Sequence, residues 1–150
     1  MFHGESVHSL DSKFRLVVPK RIADQLGAAE GPKTCYLTRG QDTCIYLFSK
    51  AGFEQAMATL KLAAFTGEDQ RAVSRVFLAS TFELDLDSSG RVLVPEKLRP
   101  QLGDERELVV IGNNDHAEIW GKQTWDQYQS RNEGLLDRID RILGGQGGAT

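Results

Sequence analysis

The chain has 150 residues, 40% of them hydrophobic and 26% charged, with a formal net charge of −3. That balance is ordinary for a globular protein, and no window approaches the roughly 18 consecutive apolar residues a membrane span requires. The start, Met1-Phe2-His3-Gly4-Glu5, has neither a basic segment nor an apolar run, so no secretory signal is expected and the cytoplasm is the expected compartment.

Residues 7–10 read as a short strand entering a turn at Asp11-Ser12-Lys13-Phe14, where an Asp carboxylate can accept backbone N–H groups. Leu16-Val17-Val18 suits a second strand. Pro19, whose missing N–H costs nothing in a first turn, opens a short helix with Ile22 and Leu26 on one face and Gly27 near its stop. After a Gly31-Pro32 loop, residues 35–38 and 43–48 predict two strands around Gly40-Gln41-Asp42. From Ser49 the apolar period lengthens from two to about 3.6. Phe53, Ala56, Met57, Leu60 and Ala64 then make one stripe, which predicts an amphipathic helix over 50–64. Gly67 breaks it, and a helix over 68–79 is expected to turn Val73, Val76 and Phe77 inward, with Arg71 and Arg75 elsewhere on its surface.

The plan then starts again. Asp87-Ser88-Ser89-Gly90-Arg91-Val92-Leu93-Val94-Pro95 restates Asp11-Ser12-Lys13-Phe14-Arg15-Leu16-Val17-Val18-Pro19 at a distance of 76 residues. Gln25-Leu26-Gly27 is answered by Gln101-Leu102-Gly103, and after a four-residue slip Gly40, Lys50 and Phe53 are answered by Gly112, Lys122 and Trp125. So ordered an echo marks a tandem duplication. Residues 82–86 alternate like a half-buried strand. Ser88-Ser89-Gly90 reads as a tighter turn than the first, since Gly accepts positive φ and Phe14 is not expected to. Pro100 should shorten or kink the helix after Pro95. Residues 108–111 and 117–120 predict paired strands, followed by a helix from about Lys122 that carries Trp125, Tyr128, Leu135, Leu136, Ile139 and Leu143 and is weak at Gly134. The glycine-rich stretch 144–150 is expected to be disordered.

No catalytic constellation emerges. His3, His8 and His116 lack metal-like spacing, and Asp85 and Asp87 share a strand face without a companion His or Cys. Cys35 and Cys44 read as packed, reduced thiols, with a cross-strand disulfide as the alternative. An enzyme, a cofactor, a bound metal and a small-molecule substrate are therefore not expected.

The informative pattern is Asp-x-x-x-Arg, present at Asp11/Arg15 and at Asp87/Arg91. Asp11, Asp87 and Arg91 read as structural turn residues. Arg15 stands apart because Lys13, Lys20 and Arg21 surround it in sequence. Residues 1–22 carry a local +2, whereas 81–100 carry −1, with Glu83, Asp85, Asp87 and Glu96 outweighing Arg91, Lys97 and Arg99. Arg15, Lys13, Lys20 and Arg21 are thus the candidate DNA-contacting residues.

From Met1-Phe2-x-Gly4 through both Asp-x-x-x-Arg copies to Trp120 and Trp125, the chain resembles the MraZ family of bacterial transcription regulators. The resemblance implies an α+β protein of two pseudo-repeated AbrB/SpoVT-type swapped-hairpin domains packed as one unit, with linking and C-terminal helices. The corresponding boundaries are 5–51 for the first domain, 52–80 for a helical linker, 81–124 for the second domain, 125–143 for a C-terminal helix and 144–150 for the tail. It further implies a sequence-specific, nucleoid-associated regulator, with repression the expected sign of control. Its expected target is direct repeats of double-stranded promoter DNA upstream of its own operon, the division and cell-wall gene cluster. It would act as an octameric or dodecameric homo-oligomeric ring. Phe14 stands where the family's turn carries Gly. An antitoxin-like protein or an assembly scaffold built on the same hairpins is the competing reading.

Overall fold

The computed structural model describes residues 1–27, 30–64 and 67–144. In chain order it contains β1 (Glu5–Ser9), β2 (Arg15–Val17), α1 (Lys20–Ala23), β3 (Thr34–Arg39), β4 (Ile45–Phe48), α2 (Lys50–Ala64) and α3 (Glu68–Ala79). The second repeat supplies β5 (Phe82–Asp85), β6 (Arg91–Leu93), a 3₁₀ helix (Glu96–Leu102), β7 (Glu107–Asn113), β8 (His116–Gly121) and α4 (Lys122–Arg131). A short 3₁₀ turn (Leu136–Arg138) and α5 (Ile139–Gly144) follow. The class is α+β, with every strand pair antiparallel.

Six strands form one sheet in the order β1-β7-β8-β4-β3-β5, while β2 and β6 make a separate two-stranded ribbon. The duplication is therefore also a pairing rule. β1 of the first repeat pairs with β7 of the second, and its counterpart β5 pairs with β3 of the first. At the ribbon centre Leu16 faces Val92, its own counterpart 76 residues on. Flanking bonds come in equivalent pairs: Val18 N–H donates to Gly90 O at 2.9 Å and Val94 N–H to Phe14 O at 2.8 Å. Leu10 N–H donates to Arg106 O and Leu86 N–H to Lys33 O, both at 2.8 Å.

One core results. Leu16, Ile22, Leu37, Ile45 and Leu47 from the first repeat join Val92, Leu98, Val110 and Ile119 from the second in a single buried cluster. A repeat of this size buries too little apolar surface to stand alone, and interleaving supplies the missing face.

Several expectations need correction. The helix after Pro19 stops at Ala23 and continues only as turns, though Leu26 is still buried. β4 starts at Ile45, because Asp42 and Thr43 both adopt left-handed φ in the preceding turn. Of the inward face expected on α3, only Phe77 packs, centred 6.3 Å from Phe53 and 6.5 Å from Phe48; Val73 and Val76 are more than half exposed. The C-terminal helix is interrupted after Arg131, where Asn132 Nδ2 donates to Tyr128 O at 2.8 Å and Gly134 removes helix propensity. Gly144 ends α5, and residues 145–150 of the expected tail lie outside the described residues. Cys35 and Cys44 are buried free thiols, and burial pushes the Cys35 thiol up to about 12.

Candidate nucleic-acid interface

The first site is built from one carboxylate. Asp11 Oδ1 accepts the N–H groups of Lys13 at 2.9 Å and Arg15 at 2.8 Å, while Oδ2 accepts Arg15 Nε at 2.8 Å. Asp87 does the same with Ser89 N–H, Arg91 N–H and Arg91 Nε, each at 2.9 Å. These bonds, led by the backbone N–H of the arginine, hold both carboxyls below the usual aspartate range. Each arginine thus leaves its turn with its Nε already fixed, which orients the rest of the guanidinium.

The two turns have the same shape despite their sequences. Phe14 N–H donates to Asp11 O at 3.0 Å with φ +61°, and Gly90 N–H donates to Asp87 O at 2.9 Å with φ +75°. The expectation that Phe14 would avoid positive φ is overturned. A left-handed non-glycine residue costs about 1–2 kcal/mol. Two guanidiniums lie over the Phe14 ring, Arg99 at 3.8 Å and Arg106 at 4.9 Å from its centroid. Each such contact returns roughly 0.5–1 kcal/mol at an exposed site, so the strain is largely offset.

Pairing then assembles a common face. Arg15 lies opposite Leu93 and Val17 opposite Arg91, so strand alternation buries Leu16 and Val92 and turns the other four residues outward. Arg91 Nη1 also approaches Asp11 Oδ2 at 3.8 Å, and arginines of both repeats meet around one carboxylate. A two-stranded ribbon with outward arginines has the width to enter a DNA major groove, and guanidinium geometry matches guanine edges and phosphate.

Not every candidate reaches this face. Lys13 is exposed at the first turn. Lys20 instead lines a hollow beside the second turn, with Lys33, Ser88 and Ser89, and pairs with Asp24 at 2.9 Å. Arg21 donates to His3 O, Ser6 Oγ and Val110 O at 2.9–3.0 Å, so its guanidinium ties the N-terminus and β1 to β7. The four acids that outweigh the cations of 81–100 in sequence do not all pair with Arg91. Asp85 accepts the Thr34 hydroxyl at 2.7 Å, and of the four only Asp87 pairs with Arg91 among the described residues. Arg99 and Arg106, which sequence reasoning did not select, stand beside the first turn although they belong to the second repeat. The repeat register could have found them only together with the strand exchange that brings Arg106 to Leu10.

Elsewhere, His116 forms a second polar cluster, bonded to Asp115 at 2.7 Å and to Glu118 at 2.9 Å, with Trp120 Nε1 donating to Glu118 at 3.0 Å. Among the described residues no group of three or more His, Cys, Asp or Glu is arranged to hold a metal, and no helix is long and apolar enough to cross a membrane.

A family model described as "MraZ protein, putative antitoxin-like" matches residues 1–76 and again residues 77–142. A protein of Acetivibrio thermocellus named Transcriptional regulator MraZ is 35% identical over 128 residues, covering 85% of this chain and 86% of its own length. One of the same name from Lactiplantibacillus plantarum is 35% identical over 143 residues, 95% of this chain and 98% of the relative. Another, from Thermoanaerobacter sp., is 32% identical over 143 residues, 95% and 96% of the two chains.

Proposed function

This chain belongs to the MraZ family of transcriptional regulators, and from that premise we propose that it regulates transcription by laying the β2–β6 ribbon into the major groove of promoter DNA. The observation that carries this reading is the shared outward face of Arg15 and Arg91, each locked by an Asp-x-x-x-Arg turn. Arg15 is the principal contact and Lys13 adds a phosphate contact. Lys20, beside the second turn, reaches the flanking backbone, while Arg21 acts by holding β1 to β7. Arg91 shares the face, but the lysines beside its turn, Lys20 and Lys33, both pair with Asp24.

Strand exchange between the repeats supports reading the fold as a swapped-hairpin pair. The natural target is a set of direct repeats upstream of the protein's own operon, the division and cell-wall cluster, where the regulator acts at the nucleoid. Binding by a −3 chain needs several ribbons acting together, which a ring-like homo-oligomer provides. The surface suited to that assembly is an apolar hollow of about 510 Å³ lined by Met57, Leu60, Val73, Val76 and Phe77.

The test is a titration of the protein's upstream duplex and a scrambled duplex at two salt concentrations. Tight binding to the upstream duplex, lost in Arg15→Ala and less affected in Arg91→Ala, is the expected result. No preference for the upstream duplex at either concentration would overturn the reading.

A further inference from the structure

We propose that Arg99 and Arg106, carried by the second repeat, form an additional DNA-phosphate site on the first repeat's turn, with the Phe14 ring as their platform. This rests on the reading of the β2–β6 ribbon as the DNA face and extends that face beyond the Asp-x-x-x-Arg arginines.

The geometry is that of a built platform. Both guanidiniums lie over the Phe14 ring, at 3.8 and 4.9 Å. Each is also pinned by one main-chain bond: Arg99 Nε donates to Val94 O and Arg106 Nη1 to Asp11 O, both at 3.1 Å. Stacking and a single bond leave the remaining N–H donors of each group available, and a guanidinium so placed loses little freedom on meeting phosphate.

Charge is the second observation. Among the described residues no carboxylate lies within ion-pair distance of Arg99 or Arg106. Of the acids that line the hollow with Phe14, Arg99 and Arg106, Glu105 is committed to Gln123 N–H and the Thr124 hydroxyl, and Asp104 makes no ion pair with either arginine among the described residues. At the other turn the equivalent positions are Gly90, Ala23 and Lys33, and the pattern there is the opposite. Lys33 donates to Ala23 O at 2.8 Å and shares Asp24 with Lys20, at 3.6 and 2.9 Å. The second end of the ribbon therefore ties its cations to a carboxylate, while the first end leaves two guanidiniums without an ion pair among the described residues. Phosphate is the ligand this arrangement suits, because two planar cations held on one ring without an ion pair, beside a groove-sized ribbon, can neutralise phosphates and release DNA counterions.

Phe14 explains the asymmetry. Gly90 has open space around it, with no heavy atom within 4 Å of where a Cβ would stand, whereas Phe14 fills the matching space and gathers the arginines.

The test uses the full chain and measures the salt dependence of affinity for the upstream duplex and for a scrambled duplex. Arg99→Ala and Arg106→Ala should each lower the log–log salt slope by about 0.9 for every phosphate no longer neutralised, equally on both duplexes. Arg106→Lys should keep most of the slope, and Lys33→Ala should leave it unchanged. Wild-type slope and affinity in the Arg99→Ala/Arg106→Ala double variant would overturn the proposal, as would weaker binding at unchanged slope, which marks a structural role. If the double variant melts early, the charge-removing Arg99→Gln and Arg106→Gln singles carry the same two outcomes. Absence of wild-type preference for the upstream duplex, with a normal loss of slope in the variants, would sink the promoter reading and leave this site standing.

Discussion

At the residue scale Phe14 and Gly90 make a controlled pair, the same turn built once with a side chain and once without. Gly90→Ala should destabilise the protein by about 1 kcal/mol through positive φ alone, because no heavy atom stands within 4 Å of the added Cβ. Phe14→Gly should lose less in a thermal melt than Phe77→Ala, since relief of backbone strain offsets part of the loss of the ring's stacking and its packing against the core, while DNA affinity falls. A marked gain in stability would show that the ring contributes nothing. His116 supplies a pH prediction. Burial alone would lower its pKa, but bonds to Glu118 and Asp115 outweigh that and raise it above 6.5. Burial likewise works against Glu118, whose pKa is nonetheless lowered from 4.5 by bonds from His116 and Trp120. The His116 contribution is complete below pH 6.5 and is lost as pH rises through its raised folded value; the Glu118 contribution is complete above 4.5 and is lost as pH falls through its lowered one. Thermal melts from pH 5 to 9 should decline above neutrality in the wild type and less so in His116→Asn.

Among the elements, α3 depends on few anchors. Phe77 reaches the aromatic cluster of Tyr36, Phe48 and Phe53, where Tyr36 and Phe53 stack at 4.4 Å. Thr38, Ser80 and Thr81 join its C-terminal end to β3 through hydroxyl bonds at 3.0–3.4 Å, with the Thr38 and Thr81 hydroxyls also reaching Phe77 O. Phe77→Ala should therefore cost about 1–3 kcal/mol, less than a fully buried Phe because the side chain is half-buried. Hydrogen exchange should locate the loss in 68–79, with the six-stranded sheet still protected. Equal deprotection of β7 and β8 would mean that α3 is part of the core rather than a docked element.

The whole molecule leaves an apolar surface without cover among the described residues. Val73, Val76 and Leu78 are exposed on α3, as are Leu136 and Leu143 towards the C-terminus. Val73 and Val76 line the hollow with Met57 and Leu60, the apolar character expected of an association surface. If the proposed homo-oligomer forms through this hollow, Val76→Glu should give smaller species than the wild type in light scattering without altering the circular dichroism of the chain. An unchanged mass at micromolar concentration would overturn the role proposed for this hollow in assembly.

The duplication, the Asp-x-x-x-Arg turns, the bounds of α2 and α3 and the shortness of the helix after Pro95 were all legible in the order of residues, because each follows from local propensity or from period. Arg15 stood out for the same reason, as a cation among cations in its own segment. What local order could not express is which strand pairs with which. The pairing of Leu16 with Val92 and of β1 with β7 closes a core that neither repeat could close alone. The same pairing carries Arg91, Arg99 and Arg106 to the first turn, takes Lys20 to the second, and consumes Arg21 as a clamp. Charge counted along the chain separates the repeats, whereas charge in space follows the strands that tertiary structure exchanges between them.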